Sequence, residues 1–169
     1  MVPEMEKIIM TAVKTIVFIL LVPGFLLGVV PVLVIPKFPD LSLAAGPWNK
    51  AAILFWITGV ATLAWCAVDF VRKGSGTPLP IDPPKELVVS GFYQYVRNPM
   101  YVGALLIQVG NIIWFGSLAQ AVYWLFLFIG FNLFIRANEE PYLRKTFGAR
   151  YEEYCEEVPR WIPRGKRID

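Results

Sequence analysis

Residues 98–135 read NPMYVGALLIQVGNIIWFGSLAQAVYWLFLFIGFNLFI, 38 consecutive positions without a charged side chain. As one helix at 1.5 Å per residue this run would be about 57 Å long, nearly twice the ~30 Å hydrocarbon core of a bilayer. It must therefore fold back on itself. Phe115-Gly116-Ser117 is the turn the composition selects, which predicts a tight hairpin of two helices, Pro99 to Trp114 and Leu118 to Asn138.

Two further uncharged stretches lie upstream, Thr15 to Pro36 with 22 residues and Ala51 to Val68 with 18. Each is long enough to cross a bilayer. The first begins too far from the start, runs too long for a signal-peptide core and lacks a small-residue cleavage site, so it reads as a retained span. Pro23, Gly24, Gly28 and Pro31 are expected to bend it, which membrane helices tolerate where neighbours resupply the freed backbone groups. Across all 169 residues the chain is 56% hydrophobic and 17% charged, with a mean hydropathy of +0.54, too apolar for an ordinary soluble domain. The expected fold is thus an all-α integral membrane protein of about four transmembrane helices followed by a cytoplasmic amphipathic helix. Residues 1–73 hold two N-terminal spans, 74–97 a Gly/Pro linker, 98–138 the hairpin and 139–169 a C-terminal cytoplasmic segment.

Lys and Arg near span ends are retained on the cytoplasmic side. Arg72, Lys73, Lys85 and Arg97 follow span two, and Arg136, Arg144, Lys145, Arg150, Arg160, Arg164, Lys166 and Arg167 follow the last span. Both segments are expected inside, with Lys7 and Lys14 placing the N-terminus there too; the first loop, with Lys37 and Lys50, and the Gly116 turn face out. Gly74 to Pro84 reads as a connector or a hinge. Leu143, Phe147, Tyr151 and Tyr154 recur at helical spacing among charges, which predicts an amphipathic helix on the membrane surface or capping the bundle, with Trp161 as an interfacial anchor.

Composition narrows the chemistry. The chain has no histidine, which excludes a Ser-His-Asp triad, a His-ligated haem and the usual zinc sites. Cys66 and Cys155 match no metal spacing and give no disulfide framework. A net charge of +3 without a lysine-rich run argues against nucleic acid as a partner.

Charges at membrane depth are costly, so polar groups that the spans do not need mark candidate sites. Asn132, Arg136, Glu139, Glu140 and Leu143 fall on one helical face at the end of the last span. An arginine beside two carboxylates suits a zwitterion; equally, a span end carries charges that only reach water. At the other end of the hairpin, Asn98-Pro99 has the chemistry of a helix start, where backbone donors and the helix dipole favour an anion. Arg97 adds charge there, and Tyr101 points its hydroxyl to the same side; an ordinary capped helix start would look the same. Gln108 and Asn111 extend that stripe, lining a cavity or bonding between helices. Gly103 and Gly110 allow close approach of another helix or of a flat ligand. The hairpin brings both charged sets to one end.

These residues resemble the isoprenylcysteine carboxyl methyltransferase family, within the wider group of small membrane methyltransferases that includes phospholipid N-methyltransferases. The resemblance rests on Gly91-Phe-Tyr-Gln-Tyr-Val-Arg-Asn-Pro-Met-Tyr101, on Glu139-Glu140-Pro141-Tyr142-Leu143, on Phe147-Gly148, Tyr151 and Tyr154, and on Val158-Pro159-Arg160-Trp161. It implies S-adenosylmethionine as methyl donor, with S-adenosylhomocysteine as product. Carried over by motif, Arg97, Asn98 and Tyr101 hold the methionine carboxylate, Glu139 and Glu140 its ammonium, and Leu143, Tyr154, Pro159, Arg160 and Trp161 enclose the adenosyl part, with Gly103 permitting close approach. Arg136 steers an anionic acceptor and shares the catalytic role with Glu140. The acceptor implied is a lipophilic, isoprenylcysteine-like carboxylate entering from the bilayer; a phospholipid amine or a non-catalytic membrane role are the alternatives. Asn98 stands where the family often has His, and an amide cannot change charge near neutral pH.

Overall fold

The computed structural model describes residues 2–35, 46–70, 72 and 86–163. The Gly74 to Pro84 linker, the first loop with Lys37, and Lys73, Lys85, Arg164, Lys166 and Arg167 lie outside the described residues, so the expectations placed on them rest on sequence alone. The described residues form helices joined by short turns. Helix α1 (Val2–Gly24) continues as a π-helical stretch, Phe25–Val34; α2 spans Ala52–Asp69, α3 Pro99–Phe115 and α4 Leu118–Phe134. A π-helical turn, Ile135–Glu139, joins α4 to α5 (Glu140–Phe147), and α6 covers Ala149–Glu157.

The hairpin turns where expected. Gly116 closes α3 in the left-handed conformation (φ 55°, ψ 42°), and the Ser117 hydroxyl caps α4 by accepting from the Gln120 amide at 3.1 Å. Among the described residues, three helices are long and apolar enough to cross a membrane, Ile9–Val34, Pro47–Asp69 and the continuous rod Leu118–Phe147; α3, with 17 residues, is a shorter apolar helix. The expected four spans are therefore three such helices and one short one. Only 12%, 28% and 17% of the three apolar windows is buried within the chain. Leu20, Leu54, Phe126 and Leu133 are among many large side chains left exposed, an outer surface that requires hydrocarbon as its solvent.

Helices α2 and α3 meet through glycines. A Cβ on Gly59 would lie 2.6 Å from the Gly103 carbonyl oxygen, and the Trp56 indole lies directly over Gly110. Small residues allow this backbone approach, as is usual between membrane helices. Gly103 is thus a helix-packing position in this structure.

The bent first helix is repaired by its neighbours, as expected. Pro31 has no N–H, so the carbonyls of Leu27, its α-helical partner, and Leu26, its π-helical partner, lose their donor. Asn111 Nδ2 donates to Leu27 O at 3.2 Å and the Tyr123 hydroxyl to Leu26 O at 3.0 Å. Ile35 donates to Val30, and the next residue is again proline, so the Pro31 carbonyl is left to Gln120 Nε2, which donates to it at 2.6 Å. Gln108 links the set, donating to Gln120 Oε1 at 2.7 Å and accepting from Asn111 at 2.8 Å. Gln108 and Asn111 are interhelical bonds, not a cavity lining.

The C-terminal region departs from a single amphipathic helix. Helix α5 prolongs the last span, the chain breaks at Gly148 (φ +55°), and α6 folds back. Leu143, Phe147, Tyr151 and Tyr154 do share one apolar surface, but they pack on Leu87 and Val158. Gly148 is why: its left-handed backbone ends the helical run between Phe147 and Tyr151.

Candidate functional site

At the end of the bundle opposite Gly116, the start of α3 meets the π-helical turn, α5 and α6. A small cavity of about 60 Å³ lies there, lined by Arg97, Asn98, Glu139, Glu140, Leu143 and Tyr154 and, beyond the residues expected to bind, by Phe70, Leu87, Val88, Tyr93, Ile135 and Tyr151. The hairpin thus gathers both charged sets, as the turn at Gly116 implied. Leu87-Val88-Val89, an apolar patch directly after the Gly/Pro linker, was the available signal for the missed wall.

Glu140 is the electrostatic centre. It is buried, and Arg160 lies across it with Nε donating to Oε1 at 2.8 Å and Nη2 to Oε2 at 2.9 Å. Arg97 Nη1 stands 3.4 Å from Oε1 on the other side. The carboxylate holding the Arg160 guanidinium pushes its pKa above the ordinary arginine value, so Arg160 keeps its charge. Arg97 also donates from Nη1 to the Cys155 thiol at 2.7 Å, while its buried Nε has no hydrogen-bond partner among the described residues.

Glu139 faces a different partner. Its carboxylate accepts from the Tyr101 hydroxyl, and the Tyr101 ring packs on Phe131 with centroids 4.8 Å apart. Tyr101 therefore orients Glu139 in this structure, across the gap between the two ends of the hairpin. Asn98 occupies the start of α3 with Pro99 in the first turn, but its side chain does not cap the helix. Its Nδ2 instead donates to the Arg160 carbonyl at 3.3 Å, and the Arg97 amide donates to the Pro159 carbonyl at 2.9 Å. Two bonds from the α3 start thus hold down the Val158–Ile162 strap.

Trp161 is half-buried within that strap. It packs on Phe128, centroids 5.2 Å apart, and donates from Nε1 to Asn132 Oδ1 at 3.4 Å, so it anchors the strap to α4. The Tyr154 hydroxyl donates to the Tyr93 carbonyl at 2.8 Å, tying α6 to the cavity wall. Arg136 is exposed and does not line the cavity; the wider π-helical turn turns Ile135 into the position beside Glu139 and Glu140. The shared face expected for Asn132, Arg136, Glu139 and Glu140 holds only for a regular α-helix.

The donor set fits an amino-acid moiety: two carboxylates for an ammonium, and an arginine with an unused buried N–H beside an amide for a carboxylate. The volume does not admit a nucleoside as it stands, since 60 Å³ corresponds to about two waters. Filling the site requires its walls to move apart.

Comparison with known proteins agrees with the segment that builds this end of the bundle. Protein-S-isoprenylcysteine O-methyltransferase of Schizosaccharomyces pombe is 37% identical over 79 residues, 46% of this chain and 33% of that protein. Protein-S-isoprenylcysteine O-methyltransferase B of Arabidopsis thaliana is 34% identical over 80 residues, 46% of this chain and 40% of that protein. An uncharacterised protein of Haemophilus influenzae is 39% identical over 64 residues, 37% of this chain and its own full length. The chain thus spans well under half the length of the two methyltransferases it matches. No solved structure matches it. The model of the phospholipid methyltransferase family matches residues 50–150, from the turn before α2 into α6 and so through both hairpin helices and the two glutamates. With more than half its length covered in this way, the chain belongs to the phospholipid methyltransferase family.

Proposed function

We propose that this protein is an integral membrane methyltransferase that uses S-adenosylmethionine to O-methylate a carboxylate on a lipophilic, isoprenylcysteine-like acceptor at the cytoplasmic face. The observation that carries the proposal is the meeting of Glu139 and Glu140 with Arg97 and Asn98 in one buried, partly apolar recess, within the segment shared with the family. The names of the fungal and plant relatives favour the carboxyl acceptor. The family model favours the second reading, a phospholipid amine.

When bound, the cofactor supplies a methyl group already activated by its sulfonium. The protein's own residues then have to bind, align and exclude water. Glu140 and Glu139 receive the ammonium, with Tyr101 fixing the Glu139 carboxylate. Arg97 and Asn98 receive the carboxylate at the start of α3, where the helix dipole adds to their charge. Leu143, Tyr154 and the Pro159-Arg160-Trp161 strap close over the adenosyl part. An acceptor carboxylate is ionised at neutral pH and needs no base. Exposed Arg136, one turn from Glu140, steers that anion, and the acceptor's apolar part stays in the bilayer. Arginines after α2 and after α4 support a cytoplasmic site, with both termini on that side, by the rule that orients other membrane helices.

The test is calorimetric titration of detergent-purified protein with S-adenosylhomocysteine, beside Glu140→Gln. Saturable binding weakened about ten- to a hundredfold is expected, from a charged hydrogen bond of roughly 1.5–3 kcal/mol. Absence of binding by folded wild-type protein would overturn the proposal. Incubating lipid extracts with methyl-labelled donor separates the acceptors, since a methyl ester is base-labile and an N-methyl group is not.

A further inference from the structure

Glu140 is assigned to the cofactor's ammonium, yet in the structure a guanidinium of the same charge already covers it. Arg160 takes both carboxylate oxygens, and Arg97 approaches one of them. A third cation cannot take a full share of that carboxylate while both arginines remain. Arg97 is the fixed partner: it stands at the head of α3, its side chain is 12% exposed, and it is bonded to Cys155. Arg160 is the movable one, with a side chain 23% exposed on a non-helical strap.

Val158 fixes the start of the strap in the core, and the residues after it are held by separate contacts. Besides the ion pair, Asn98 reaches the Arg160 carbonyl at 3.3 Å, the Arg97 amide reaches Pro159, and Trp161 rests on Phe128. The recess that Glu140 lines measures about 60 Å³. A cation that takes Glu140 has to part the Arg160–Glu140 pair, and that pair ties the strap to the recess.

We infer that Arg160 is an internal counter-ion and latch: its guanidinium stands in for the ammonium on Glu140, holds the Val158–Ile162 strap shut, and is displaced when a cationic amino group arrives. This rests on the proposed function and adds a regulation to it. The arginine competes with the cofactor for one carboxylate, so it weakens binding and shields a buried negative charge that would otherwise lack its strongest partner. A ligand that binds only the open state is penalised by the fraction of molecules that are closed. The same competition returns Arg160 to Glu140 when product departs. The opposite role, a direct hold on the bound cofactor, predicts the opposite sign on affinity.

Two measurements on the full chain decide it. The first is hydrogen exchange of peptides containing the Arg97 amide, which reports the bond to Pro159, in wild type, Arg160→Gln and Arg160→Lys, with no cofactor added. Faster exchange in Arg160→Gln, and a smaller increase in Arg160→Lys, which keeps the charge but loses the fork, are expected; unchanged exchange overturns the latch. The second is calorimetric titration of the same proteins with S-adenosylhomocysteine. Arg160→Gln is expected to bind about tenfold tighter, in proportion to the lost competition, with Arg160→Lys between. Equal or weaker binding overturns the competition. If wild type binds no S-adenosylhomocysteine, the proposed function and the competition fall together, while the exchange result still decides whether the pair holds the strap.

Discussion

Gly59 of α2 and Gly103 of α3 face each other so closely that a Cβ on Gly59 would sit 2.6 Å from the Gly103 carbonyl oxygen and 2.6 Å from Ile107 Cγ1. This contact sets how α3 sits on α2, and therefore where Arg97, Asn98 and Tyr101 stand relative to Glu139. Neither neighbour of the Gly59 position is free to yield easily, since one is backbone and the other belongs to a packed helix.

Gly59→Val should therefore force α2 and α3 apart and cost about 1–3 kcal/mol, the range for overpacking a close-packed contact. Gly130→Ala is the matched control, because nothing lies within 4 Å of a Cβ there and alanine is the better helix former. Thermal unfolding of the two variants in the same detergent checks this. Equal midpoints for Gly59→Val and wild type would sink the packing role.

The reading from sequence and the structure part company at identifiable places. The hairpin was legible because 38 uncharged residues exceed any bilayer and Gly116 was the natural break. The gathering of Arg97 and Asn98 with Glu139 and Glu140 followed from that turn alone. Arg136 falls outside the cavity lining because counting by 3.6 residues fails across Ile135–Glu139, where the π-helical turn shifts the register, and nothing in IRANE announces such a turn. Gly103 was open to two readings because a close approach looks the same from sequence whether a ligand or Gly59 makes it. The Arg160–Glu140 pair was invisible for another reason: it joins residues 20 apart across a Gly148 reversal, so no periodicity connects them.

The polar set that repairs α1 offers a second prediction. Gln120 is fully buried and spends its side chain on Gln108 and on the Pro31 carbonyl. Gln120→Leu keeps the volume, leaves the Pro31 carbonyl without its side-chain donor and leaves Gln108 Nε2 only the 3.5 Å contact to the backbone carbonyl at 120. A loss of about 1 kcal/mol, and no more than ~2, is expected, as for interhelical hydrogen bonds in other membrane proteins. Because the set lies at the Gly116 end, S-adenosylhomocysteine affinity should be unchanged in the folded fraction. A variant as stable as wild type in chemical unfolding would show that Gln120 contributes nothing.

Tyr101 separates orientation from packing within the site. Tyr101→Phe keeps the ring contact with Phe131 and removes only the donor to Glu139. The freed carboxylate loses its fixed direction, and S-adenosylhomocysteine affinity should fall about fivefold, from roughly 1 kcal/mol of lost hydrogen bonding. The unfolding midpoint should move little. If affinity is unaffected while stability drops, Tyr101 serves the helix pair and not the ligand.

Tyr154 ties α6 to the cavity wall and titrates, which gives a pH-dependent test. Burial pushes both the Tyr154 and the Tyr151 hydroxyl well above the ordinary value of 10.0. The folded chain therefore keeps these protons at pH values where the unfolded chain has released them. Their contribution is fully present below pH 10 and is lost as pH rises from there toward the raised values. Tyr154→Phe should cost about 1 kcal/mol at pH 8, since the Tyr93 carbonyl loses its donor. Above pH 10 the variant should lose stability less steeply than wild type, by about 1.4 kcal/mol per pH unit for the one group removed. Unfolding midpoints measured from pH 8 to 11 would then converge. Parallel curves would mean that Tyr154 ionises in the folded chain as readily as in the unfolded one, and that the tie between α6 and Tyr93 is not buried.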